Sequence, residues 1–265
     1  MNDVSDRRLP VVLCWHMHQP FYADPLNGEY RLPWVYLHAI KDYVDMVAHL
    51  ETHSGARAVI NFAPILLEQI DDYASQLGAW LASEQPLRDP LLDTLAHARW
   101  PDRVEDRLHL IRSLLRANRE RMIARYKPYE RIAILAEAVL VQPLNALYLD
   151  QQFLVDLSVW YHLAWLGETV RREDKRVREL LDRGSNFLPR DRRLLLELIY
   201  DLVQGLLPRY RRLAEEGRIE LSVTPYAHPI VPLMLDIGSA REAMPDAPLP
   251  PDPHYPAGAE RAQWH

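Results

Sequence analysis

An apolar run at residues 11–13 leads into Cys14-Trp15-His16-Met17-His18-Gln19 and stops at Pro20. A short apolar stretch closed by a breaker reads as a buried β-strand. Side chains alternate along a strand, so Cys14, His16 and His18 share one face, with Trp15 and Met17 on the other. Pro20 lacks an N–H and ends the ladder. Polar rings at the carboxyl end of a buried strand stand where parallel α/β folds carry their chemistry. This stretch therefore points to a parallel sheet in an α/β fold.

The following segments fit such a fold. Residues 21–33 read as a loop punctuated by Pro25, Asn27-Gly28 and Pro33. A helix follows, because Leu37, Ile40, Val44, Val47 and Leu50 form one stripe. Residues 56–62 read as a second buried strand. Pro64 opens the next helix, where its missing N–H costs nothing, and Leu66, Ile70, Tyr73, Leu77 and Trp80 mark its buried side. From about 85 to 216 the pattern is helical. Val104, Leu108, Ile111, Leu115 and Met122 predict one long amphipathic helix. Residues 132–147 predict a second, interrupted by Pro143, and residues 153–166 a third, rich in aromatics. Residues 168–183 alternate in sign and read as a solvated helix face. Leu194, Leu195, Leu198, Leu202 and Leu206 predict a helix that ends before Pro208, and Gly217 is a candidate C′ cap. The period then switches to two at Ile219, Leu221 and Val223, a third strand ended by Pro225. Residues 225–256 form a long proline-rich loop. A helical pattern begins at residue 257.

Composition sets bounds on function. Among 265 residues, 31 basic and 37 acidic side chains give a formal charge of −6, which offers no electrostatic basis for binding nucleic acid or an acidic membrane. The single cysteine, Cys14, excludes an internal disulfide and fits a reducing, cytoplasmic compartment. Residues 1–10 are polar, and the apolar piece after them is too short for a signal peptide core. No apolar run approaches the roughly 18–20 residues of a membrane span. The chain has 21 prolines, clustered at loop positions, and its tryptophans and tyrosines suit either core or stacking.

His16 and His18 admit three readings: two metal ligands on one strand face, neutral rings that hydrogen-bond a ligand's hydroxyls, or rings that satisfy nearby backbone carbonyls. A metal site needs more ligands, and His228, Asp236 and Asp24 have no diagnostic spacing for one. Glu220 falls inside a strand read as buried, where a carboxylate needs a partner or a function. His228, between Pro225 and Pro229, is held beyond that strand's end, either at a site or on the surface. Trp34 is a stacking platform or the first core residue of its helix. There is no Gly-rich phosphate loop, no G-x-S-x-G elbow and no H-E-x-x-H, so no cofactor is expected. Cys14 reads as packing, since reactive thiolates need an electropositive, accessible setting.

The segment His16-Met17-His18-Gln19-Pro20 resembles the first motif of glycoside hydrolase family 57, which centres on His-Gln-Pro. The resemblance continues through Leu32-Pro33-Trp34-Val35-Tyr36-Leu37-His38 and Val59-Ile60-Asn61-Phe62-Ala63-Pro64. It resumes at Gly217-Arg218-Ile219-Glu220, similar to the family's Gly-x-x-Glu motif, and includes Thr224-Pro225-Tyr226-Ala227-His228 and Asp252-Pro253-His254. It implies an incomplete (β/α)7-barrel, distorted and TIM-like, with a large helical insertion at about 85–216 between the second and third strands. Residues 1–265 would be the N-terminal portion of that barrel. The implied substrate is an α-1,4-glucan or maltooligosaccharide, hydrolysed or transferred with retention of configuration. His16, His18, Gln19, Trp34, Glu220 and His228 would line the sugar-binding wall. The family's nucleophile glutamate and acid/base aspartate belong to its third and fourth motifs. Neither motif is found in this chain, and both are expected beyond residue 265, so the chain alone is expected to lack turnover. Two rivals remain: a metal-dependent hydrolase, such as a sugar deacetylase or amidohydrolase, using His16 and His18, and a non-catalytic carbohydrate-binding relic. The family reading expects His16, His18 and the Glu220 carboxylate to converge on one hollow at the tips of adjacent strands.

Overall fold

The computed structural model describes residue 9, residues 11–252 and residues 254–265. Most of the polar N-terminal stretch (residues 1–8 and Pro10), and Pro253 of the Asp252-Pro253-His254 segment, lie outside the described residues. The fold is α/β, mostly helical, with one parallel sheet. Its strands are β1 (Cys14–Met17), β2 (Ala58–Phe62) and β3 (Ile219–Val223), in the order β1-β2-β3. Parallel neighbours need crossovers of roughly a dozen residues or more, and residues 18–57 and 63–218 supply them.

The central strand is the buried one. Ala58, Ile60 and Phe62 are buried, as period-two alternation predicts. The edge strands depart from expectation. Residues 11–13, Cys14, Glu220, Leu221 and Val223 are exposed, so β1 and β3 are not the enclosed strands that their apolar character suggested. A short apolar run does not distinguish a central strand from an edge one, because an edge strand is covered on one side only. Cys14 is accordingly an exposed thiol rather than a packed one.

The helices before β3 are α1 (Trp34–His38), α2 (Val44–Thr52), α3 (Pro64–Ser83), α4 (Pro90–His97), α5 (Val104–Leu114), α6 (Lys127–Val141), α7 (Gln151–Ala164), α8 (Glu168–Glu173), α9 (Lys175–Arg183) and α10 (Pro189–Glu215). After β3 come α11 (Val231–Leu235), α12 (Ala240–Ala243) and α13 (Gly258–Trp264). The proline-rich segment expected as loop thus holds two short helices. Among the described residues no helix is long and apolar enough to cross a membrane. Contacts divide the chain into two compact units. One holds the described residues up to Phe21, with Gly55–Glu68 and Arg212–His265; the other holds Tyr22–Ser54 and Gln69–Arg211.

The predicted stripe Leu37, Ile40, Val44, Val47 and Leu50 is buried throughout. Between α1 and α2 the backbone widens into a π-turn at Ala39–Tyr43, and two carbonyls there take outside donors: Ile40 O accepts from Gly167 N at 2.9 Å, and Tyr43 O from Tyr210 Oη at 2.9 Å. The single helix predicted through Met122 is broken. α5 ends at Leu114, and Asn118 caps a separate turn at Arg119–Ile123 by accepting from Arg121 N. The charged stretch 168–183 is two helices, with Asp174 ending α8 and capping α9. Pro208 does not stop its helix: α10 runs through it to Glu215. The buried stripe continues past it at Tyr210 and Leu213, while Pro208 itself faces solvent, where the carbonyl it leaves unbonded can be hydrated. Gly217, at φ +66°, caps α10 as predicted, with Arg218 N bonded to Leu213 O at 2.8 Å.

In the second unit, His162 is fully buried. Its Nδ1–H donates to Ser158 O at 2.8 Å, and its Nε2 accepts from Tyr36 Oη at 3.0 Å, so the ring is neutral. Burial penalises the cation and pushes its pKa down to about 4. Below pH 6.5 the unfolded chain takes up this proton and the fold does not, so this term removes stability as pH falls towards 4, by up to about 3 kcal/mol. Buried Asp89, which caps α4 and accepts from Tyr73 Oη at 2.7 Å, has its pKa raised to about 6 and acts in the opposite sense between 3.8 and 6. A difference measurement separates them. In urea unfolding, the advantage of the wild type over His162→Gln is expected to be largest above pH 6.5 and to shrink towards pH 4. A gap independent of pH contradicts this assignment.

Candidate functional site

The sheet register sets one polar row. His16, Asn61 and Ser222 are partners across the three strands and so point to the same face. Their side chains are bonded in series. Asn61 Nδ2 donates to Ser222 Oγ at 2.9 Å, and Asn61 Oδ1 accepts from His16 Nδ1 at 2.6 Å. This fixes the tautomer of a neutral His16 and leaves its Nε2 as an acceptor for a ligand hydroxyl.

Two more imidazoles complete the group. His18 lies past the end of β1, and its ring centroid is 5.9 Å from that of His16. His228 comes from the loop after β3; its ring is 4.8 Å from His16 and 4.5 Å from His18. The pKa of His18 is lowered, first by burial and then by its neighbours His228 and His16. His228 has φ +58°, a left-handed conformation that is strained for a residue with a Cβ. The surrounding bonds hold it there. His228 N donates to Pro225 O at 2.8 Å, Tyr226 O accepts from Ile65 N at 3.2 Å, Tyr226 N donates to His265 O at 3.0 Å, and Tyr226 Oη donates to Glu68.

The structure thus brings His16, His18 and His228 together. Gln19 follows His18 and is half-buried. Glu220 does not join them. It is exposed, pairs with Val59 one row nearer the amino ends, and lines a cavity of about 300 Å³ with residues 11–13. β1 and β3 are not adjacent, since β2 lies between them, and the Cα atoms of His16 and Glu220 are about 12 Å apart by strand geometry. Trp34 belongs to the other unit, half-buried, with its ring 5.8 Å from Trp165 and 6.3 Å from His38. Asp24 pairs with Arg31, and Asp236 bonds Gly238 N. Among the described residues no group of three or more His, Cys, Asp or Glu is disposed to hold a metal ion.

A family model described as Glycosyl hydrolase family 57 matches residues 12–248. The chain belongs to glycosyl hydrolase family 57. No curated protein and no solved structure matches it. Membership in family 57 places the chain among glycosidases and transferases acting on glucans. The matched span includes every member of the imidazole cluster and its ladder.

Asn61 and Ser222 were not singled out as site residues from the sequence. Each sits on the alternating face of its strand, so the face was readable, but the register that aligns them with His16 was not. One consequence is measurable. Replacing His228 by Ala is expected to raise the His18 pKa towards 6.5 in an NMR titration, more than His16→Ala does. A His18 midpoint that does not move contradicts the cluster.

Proposed function

We propose that the face bearing His16, His18 and His228 is the sugar-binding wall of a family 57 enzyme acting on α-1,4-glucans. The observation that carries this is the bonded series His16–Asn61–Ser222 at the carboxyl ends of three parallel strands, with two further rings against it. Neutral imidazoles both donate and accept, which suits the hydroxyls of an uncharged sugar. Gln19 extends this wall beyond β1. The wall orients the glucan; the chemistry is separate.

The sheet is proposed to be the front of an incomplete (β/α)7-barrel, with the helices of residues 85–216 inserted between its second and third strands. Exposed Leu221 and Val223, the latter 69% exposed, suit continuation of β3 into further strands. Retaining chemistry requires two carboxyl groups roughly 5 Å apart, one the nucleophile and one the acid/base. These are proposed to be a glutamate and an aspartate outside residues 1–265, so this chain binds glucan without turning it over.

Calorimetry and a reducing-sugar assay on the same preparation test this. Chain 1–265 is expected to bind maltoheptaose with no sugar released, and His18→Ala is expected to weaken binding several-fold to about tenfold, the worth of one or two hydrogen bonds. Turnover that tracks the folded chain refutes the division of labour. Affinity unchanged in His18→Ala refutes the wall.

A further inference from the structure

The second unit holds a cavity of about 600 Å³, walled by residues 29–33, by α4 and α5, and by the turns beside those helices. Much of its lining is apolar, with Leu32, Leu91 and Leu110 among the contributors. Asp89, Thr94 and Ser113 are buried polar members of the wall. The first two are fully engaged within the chain. Asp89 Oδ1 accepts from Leu91 N at 2.9 Å and Leu92 N at 3.2 Å, and its Oδ2 accepts from Tyr73 Oη at 2.7 Å. Thr94 Oγ1 donates to Pro90 O at 2.7 Å. Ser113 differs. It is only 7% exposed, yet its hydroxyl has no hydrogen-bond partner among the described residues. A helical Ser or Thr can bond the carbonyl four residues back. Thr52, Ser83 and Thr94 do so here, to Ala48 O, Ala79 O and Pro90 O. Ser113 makes no such bond to His109 O. Nor is its oxygen sealed in, as the unpartnered hydroxyl of Ser158 is, and its open side is the cavity.

The charged groups around that hydroxyl are balanced in sign and unpaired. Glu29 and Asp106 supply carboxylates, and Arg99 and Arg116 supply guanidinium groups. None of these four makes an ion pair among the described residues. Arg31 beside them is tied to Asp24 at 2.6 Å, and Asp93 faces His97 at 3.5 Å. Guanidinium groups do not outnumber carboxylates in this wall, so an anion finds no surplus of positive charge, and Arg99 and Arg116 oppose a cation. The wall offers instead strong acceptors and forked donors together, over an apolar surface.

We propose that this cavity is a second saccharide site, one that takes a short neutral glucan. The identity of the sugar rests on the glucan reading given above; the place rests on Ser113 and its surroundings. A sugar hydroxyl both donates and accepts, so it can meet the carboxylates, the guanidinium groups and the Ser113 hydroxyl, while the C–H faces of the ring lie on the apolar lining. It gives Ser113 the partner that the chain does not. The cavity falls within the range of small-molecule sites, on the order of 300–1,000 Å³. The imidazole wall belongs to the other unit, so the two sites draw on separate residues.

Trp100 also lines the cavity, and its Nε1–H, which donates to Asp150 O at 2.9 Å, reports on it. In a ¹H–¹⁵N spectrum of the full chain its resonance is identified by its loss in Trp100→Phe. Maltotriose is expected to shift that resonance saturably at millimolar concentration, in the wild type and in His18→Ala alike. Ser113→Ala breaks no hydrogen bond within the chain, so it is expected to leave the melting temperature unchanged while raising the midpoint several-fold, the worth of one hydrogen bond. Arg116→Gln, a change at an exposed side chain, is expected to raise the midpoint as well. A resonance that maltotriose does not move, a midpoint unchanged in Ser113→Ala, or an equal shift with sodium phosphate at constant ionic strength overturns the site. A shift lost in His18→Ala overturns it too, because the sugar would then be acting from the wall. Failure of the wall reads differently: calorimetric affinity is indifferent to His18 while the Trp100 response to maltotriose persists, and that result supports the cavity.

Discussion

Strand β2 is bonded on both sides to parallel partners, and the rest of the candidate site follows from that pairing. Parallel strands end together, so all three carboxyl ends meet on one rim. The register then fixes the rows: His16 with Asn61 and Ser222, Cys14 with Val59 and Glu220. A slip of one residue in either pairing would turn a whole set of side chains to the other face. It would break the bonded series and carry the imidazole of His16 away from Asn61. The long crossovers that parallel pairing demands also explain why most of the chain is helix.

The imidazole cluster is held more firmly than its exposure suggests. His16 is tied through Asn61 to the far strand, and His228 is locked into a left-handed turn whose neighbours are bonded to the start of α3 and to His265. Burial and the two neighbouring rings lower the His18 pKa, and a neutral, hydroxyl-rich ligand needs no charge on that ring.

Much of this was legible in the chain. The stretch 56–62 read as a buried strand located β2, period-two alternation located β3, Pro64 and Gly217 marked the ends of helices, and the stripe from Leu37 to Leu50 named its own buried face. His16, His18 and His228 were readable as candidates because each stands beside a proline-marked strand end. What failed did so for identifiable reasons. Residues 11–13 look like core but lie at a sheet edge, and an apolar run carries no record of which side is covered. Pro208 reads as a stop, yet its solvent-facing position lets α10 continue. Glu220 shares a face with His16 but not a row, and rows depend on long-range register. Asn61 and Ser222 were invisible as a pair, since 161 residues separate them.

The central claim is spatial: a glucan lies against the row at the strand ends. A crystal structure of the chain soaked with maltotriose tests it most directly. The account predicts a sugar ring with hydroxyls within hydrogen-bonding distance of His16 and His18 and beside His228. Maltotriose bound elsewhere, with this row untouched at saturating sugar, would contradict it.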